Sequence, residues 1–175
     1  PEYLPYGGTI VCEKELIKRQ LLRMRADLEV FSLAEMAIRQ NRDIEAIEGQ
    51  PAEQLELLET LRVNGEIDGY VISRGKFSQI RTRVRRHTLG MQREKPTQEF
   101  ERSTFISPPL EGFTVLISRS GFPNTVISKI NDKAAETCYQ IENSIYEALS
   151  DDLKHVSGIF VEQKKLSTIL KQYVK

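Results

Sequence analysis

Tryptophan is absent from the 175 residues, cysteine and histidine occur twice each, and 25 basic side chains are balanced by 25 acidic ones. Each shortage excludes something. Cys12 and Cys138 are too few and too far apart for a disulfide framework, so free thiols in a reducing, intracellular setting, cytoplasmic or nuclear, are expected. His87 and His155 are distant in sequence, and two such histidines do not make a metal site. Zero net charge speaks against a surface built throughout for nucleic acid or anionic lipid. No apolar run approaches the roughly 18 residues that a bilayer span needs. No charged-then-apolar leader opens the chain at Pro1.

What is present is enough apolar material for a core. Hydrophobic residues make up 39% and there are ten glycines, within the globular range. Residues 1–9, with Pro5, Gly7 and Gly8, look like an arm or a short extended lead-in. From Cys12 to Val30, Leu16, Ile17, Leu21, Met24 and Leu28 recur at three- and four-residue steps, the period of an amphipathic helix. Ser32 followed by Glu35 is a capping box that opens a second, short helix. Pro51 suits the first position of a third helix, with Leu55, Leu58 and Leu61 as its stripe and Asn64-Gly65 as its stop. Ile67, Tyr70 and Ile72 then suggest a strand, Ser73–Lys76 a turn, and Phe77–Val84 a returning strand. Three helices closed by a β-hairpin form a winged-helix-like domain over residues 10–86.

Residues 87–101 are polar, contain Gly90 and Pro96, and make the best linker. Residues 102–175 change character. Two β-type runs, around Phe105 and at Phe113–Ser118, precede a long helix from Asn124 to Ser150. A further strand at 155–162 and a closing helix complete a small ββαβα unit. The expected class is therefore α+β, a winged helix followed by that unit.

Candidate catalysts are few. Cys138 falls near the apolar side of the long helix, with no neighbour to lower its pKa. The loop Ser118–Asn124 lacks the glycine and lysine spacing of a phosphate-binding loop. No catalytic residue, metal or cofactor is expected. Charge is more informative. Arg74, Lys76, Arg81, Arg83, Arg85, Arg86, Arg93 and Lys95 face one acid, Glu94, giving residues 74–95 a net +7. Arg81, Arg83 and Arg85 would share one face of a strand. They are candidate phosphate contacts together with Arg86 and Arg93, or else the protective charges of an edge strand. The third helix exposes Glu53, Gln54, Glu56 and Glu59, which opposes insertion into a major groove.

Gly65, Ile67, Gly69 and Val71, followed by Arg74-Gly75-Lys76-Phe77, resemble the winged-helix modules of the PCI-like group. Most closely they resemble the DDRGK-domain adaptor family of the ubiquitin-fold-modifier pathway. That family has two aspartates where this chain has Ile72 and Ser73. The resemblance covers about residues 32–81 and implies a winged-helix fold engaged in adaptor or scaffold assembly. On this basis the expected function is a non-enzymatic adaptor. It would hold a protein partner through Arg74, Lys76 and Phe77 at the turn, and through apolar Phe105, Leu110 and Phe113. The alternative is a DNA- or RNA-binding factor that uses the basic wing.

Overall fold

The computed structural model describes residues 4–41, 51–78, 86–89, 105–167 and 170, and the chain divides into two units, Pro1–Phe105 and Ile106–Lys175. The first unit is organised by a strand that the helical periodicity concealed. Thr9–Cys12 (β1) carries Ile10, Val11 and Cys12 in succession, and all three are buried. Consecutive apolar residues suit a parallel strand covered on both faces. The next helix, Glu15–Met24 (α1), buries Leu16, Ile17 and Leu21. It stops at Arg25, whose backbone is extended and whose N–H closes onto the Leu21 carbonyl. Leu28 and Val30 therefore leave the expected helix and enter the core beside the strand Glu29–Ser32 (β2).

Ser32 starts Leu33–Arg39 (α2) as expected. Its side chain accepts the Glu35 N–H at 3.1 Å, and the Glu35 carboxylate accepts the Ser32 N–H at 2.6 Å. Pro51–Val63 (α3) buries Leu55, Leu57, Leu58 and Leu61. Gly65 at φ 73° lets the chain leave the helix. Gly69–Val71 (β3) and one helical turn, Arg74–Phe77 (α4), complete the described elements of this unit.

The sheet has the order β2-β1-β3, and both pairings are parallel. Thr9 pairs with Glu29 and Cys12 with Ser32; Ile10 pairs with Gly69 and Cys12 with Val71. Alternation of side chains across β1 splits the core. Ile10 and Cys12 join Ile17, Leu21, Leu28 and Val30 on the α1 face. Val11 joins Met36, Leu57, Leu58, Leu61 and Ile67 on the other face, where α2 and α3 supply the cover. The β1–α1–β2 connection thus crosses one face, and the return from β2 to β3 crosses the opposite one, as right-handed crossovers require.

The expected hairpin is not present among the described residues. Its first strand exists at β3, but its partner is β1 and the pairing is parallel. At the expected turn, Ser73 Oγ accepts the Lys76 N–H, and the N–H groups of Phe77 and Ser78 bond the carbonyls of Ser73 and Arg74. A serine ahead of residues free to take helical angles caps a helix, and here that tendency wins. Phe77 is helical rather than the start of a returning strand; residues 79–85 lie outside the described residues. The part of the fold class that stands is its mixture: seven helices and one three-stranded parallel sheet among the described residues.

In the second unit the long helix is two. Asn124–Ile130 (α5) stops, and Lys133–Ala148 (α6) starts where Asp132 accepts the N–H groups of Ala134 and Ala135. A short helix, Asp151–Lys154 (α7), follows. The β-type runs expected around Phe105, at Phe113–Ser118 and at 155–162 have no ladder among the described residues. A strand needs a neighbour to bond, and apolar composition alone does not provide one. Helix is assigned at 166, 167 and 170, and the rest of the expected closing helix lies outside the described residues.

Candidate functional site

Because its three strands are parallel, all their carboxyl ends lie along one edge of the sheet. Glu13 follows β1 directly, Ser32 ends β2, and Ser73 lies two residues beyond β3. Lys76 of α4 places its Nζ 2.8 Å from Glu13 Oε1 and 3.4 Å from Gln54 Oε1 near the start of α3. On the β2 side Lys18 of α1 donates to both Glu35 oxygens at 2.8 Å. The Lys18 ammonium and the Ser32 N–H together hold the Glu35 carboxyl below its ordinary range, and Glu35 raises the Lys18 pKa. Cys12, one residue before Glu13, is not a nucleophile in waiting. Burial pushes its thiol up to about 11, and its Sγ lies 3.6 Å from the Lys14 and Phe31 carbonyls.

The amino edge of the sheet is acidic and serves to fasten the chain. Arg25 pairs with Asp27 and donates to the Leu4 and Pro5 carbonyls at 2.8 and 3.0 Å. Asp27 also accepts the Gly7 N–H, and these bonds, Arg25 first, draw its pKa down to about 2. Asp68 accepts the Thr9 N–H at 2.8 Å. The expected arm or lead-in is, from Leu4 onward, fastened at the entry to β1.

The residues singled out from sequence are dispersed. Lys76 is engaged with Glu13, and Arg86 lies over the Phe77 ring at 5.2 Å. Arg74 is half of neither arrangement but begins α4. Arg81, Arg83, Arg85 and Arg93 lie outside the described residues. Phe105 is not a docking residue: it is buried in the core of the first unit beside Ile10, Leu21 and Val30. Glu13, Gln54, Lys18 and Glu35 were missed as a group. The one signal in the sequence was the position of Glu13, just beyond the run at 9–12, and it has meaning only once that run is known to be a strand.

Leu110 and Phe113 do come together, on α6. Leu110 takes φ 61° and donates its N–H to Glu142 Oε1 at 2.7 Å; Glu142 is itself buried. The Phe113 ring meets Tyr139 edge-on at 5.4 Å. Beyond this clasp the apolar residues turn outward. Val115, Leu116 and Ile117 are 60%, 59% and 90% exposed, and Ile141 and Ile145, one turn apart on α6, are exposed as well. The buried apolar side chains described in this unit are Pro108 and Cys138.

Among the described residues no group of three or more His, Cys, Asp or Glu is placed to hold a metal ion, and no helix is long and apolar enough to cross a membrane. Comparison with family models, with curated proteins and with solved structures returned no match.

Proposed function

We propose that the chain is a non-catalytic adaptor that binds another polypeptide through the apolar surface of its second unit. The observation that carries this reading is the imbalance between the two units. In the first, apolar side chains close around a sheet; in the second, Val115–Ile117, Ile141 and Ile145 stay in water. Each such side chain gains about 1.5–3 kcal/mol when fully covered, and Val115, Leu116 and Ile117 are consecutive, an exposed apolar run of the kind that marks interaction sites. Val115–Ile117 has no ladder partner among the described residues, so strand pairing with a partner chain suits it. The disarmed Cys12 thiol is consistent with a protein that does no chemistry at that position. The test is a photo-crosslinking residue at position 117 in the full chain. One reproducible partner is expected, with the crosslink lost in Leu116→Asp while circular dichroism is unchanged. A crosslink pattern indifferent to that substitution would refute the reading.

The second reading, nucleic-acid binding, rests on the net +7 of residues 74–95. It predicts association with random-sequence DNA or RNA that weakens steeply with salt and disappears when Arg81, Arg83, Arg85 and Arg86 become alanine. Two members of that charge cluster, Lys76 and Arg86, already have intramolecular partners, which lowers the number free for phosphates.

A further inference from the structure

The carboxyl edge of the first unit has a use that the adaptor reading does not require. The chain leaves the central strand β1 toward α1, on the face of Ile10 and Cys12. It leaves β3 toward α4, whose Lys76 reaches Gln54 of α3, the helix of the opposite face. The two exits diverge, and in open parallel sheets ligands settle where strand order reverses and the exits part. Here the chain places long polar side chains rather than apolar ones. Glu13 and Lys76 form a half-buried ion pair, with side-chain exposures of 18% and 29%.

We propose that the carboxyl edge between β1 and β3 binds a small molecule bearing an oxyanion, phosphate or carboxylate. Lys76 exchanges Glu13 for the ligand. Glu13 is then the internal competitor that occupies the ammonium when no ligand is bound. This role separates the proposal from a plain tether, in which loss of Glu13 would bring no gain in binding.

The experiment is a heteronuclear NMR titration of the full chain with two probes, inorganic phosphate and succinate. Saturable shifts confined to the amides of residues 13–15 and 73–77 are expected with at least one probe, and the responding probe identifies the oxyanion. Lys76→Met should weaken binding roughly tenfold, the scale of one lost charge-assisted bond. Glu13→Gln should tighten it by a few-fold. Unchanged amide shifts at residues 9–12 show that each variant keeps the sheet. The proposal is overturned if neither probe gives saturable shifts at those amides, if the shifts fall instead on the basic residues after Ser78, or if Glu13→Gln binds no better than the unaltered chain. None of these results bears on the crosslink at position 117.

Discussion

A buried carboxylate holding the amide of a leucine in left-handed geometry is the most constrained point of the second unit. Leu110 at φ 61° stands in a region that costs an L-residue about 1–2 kcal/mol. It persists because Glu142 takes its N–H at 2.7 Å. Replacing Glu142 by leucine leaves that amide unmet and should cost about 1–3 kcal/mol. Glu142→Gln keeps an acceptor and should cost less than half as much. Urea unfolding of the two variants decides it, and equal losses would show that the hydrogen bond is not what holds the loop. Nothing in the sequence foretold this bond, since Leu110 and Glu142 are far apart along the chain and Pro-Pro-Leu-Glu-Gly reads as an ordinary turn. Cys12 was misplaced at the same scale, as the head of a helix rather than the end of a strand. Its folded pKa, raised to about 11 by burial, makes a signed prediction. Its contribution is fully present below the ordinary thiol range. Above about pH 9 the unfolded chain releases the proton and the folded chain keeps it, so stability falls from there to about pH 11. Tyr70, pushed up to about 12 by burial and Glu59, adds to the loss at the upper end. Subtracting the pH profile of Cys12→Ala from that of the unaltered chain isolates the thiol, and a flat difference would contradict its burial.

Elements with a local signature were legible, and those defined by distant partners were not. The capping box at Ser32 and Glu35 is a matter of four residues, and both of its bonds are present. Ser32→Ala should cost about 1 kcal/mol, measured by thermal unfolding, with Ser32→Gly milder because glycine is tolerated at that position. Pro51 opens α3 and Asn64-Gly65 closes the same helix for equally local reasons. The parallel strands are different. Thr9–Cys12 and Gly69–Val71 have four and three residues, too few for a period to emerge. What makes them strands is that Ile10 finds Gly69, and Cys12 finds both Ser32 and Val71. The expected turn at Ser73–Lys76 is a helical turn instead, because Ser73 offered two local outcomes, turn or helix cap. The break at Asp132 had a legible cause, since aspartate accepts from the next turn as a cap, but the apolar period ran through it and hid it. The candidate site followed the strands: Glu13, Gln54 and Lys76 become neighbours only when β1 lies parallel to β3.

Across the whole molecule the described core is unevenly distributed, and this asymmetry has a dynamic consequence. The buried apolar clusters belong to Pro1–Phe105, whereas the buried apolar residues described beyond it are Pro108 and Cys138. The free energy of local opening follows the apolar contact that opening must break. Amides of β1 are therefore expected to exchange with solvent only through global unfolding of their unit. Those of α6 should exchange through cheaper openings, faster by at least tenfold, a difference of about 1.4 kcal/mol. Hydrogen exchange followed by mass spectrometry on the full chain measures both in one experiment. If a partner polypeptide covers Val115–Ile117 and Ile141, its addition should slow exchange in α6 and leave β1 unchanged, because binding stabilises only the state that it binds. Protection of α6 already equal to that of β1 in the free chain would mean that the second unit needs no partner to complete it, and the adaptor reading would lose its physical basis.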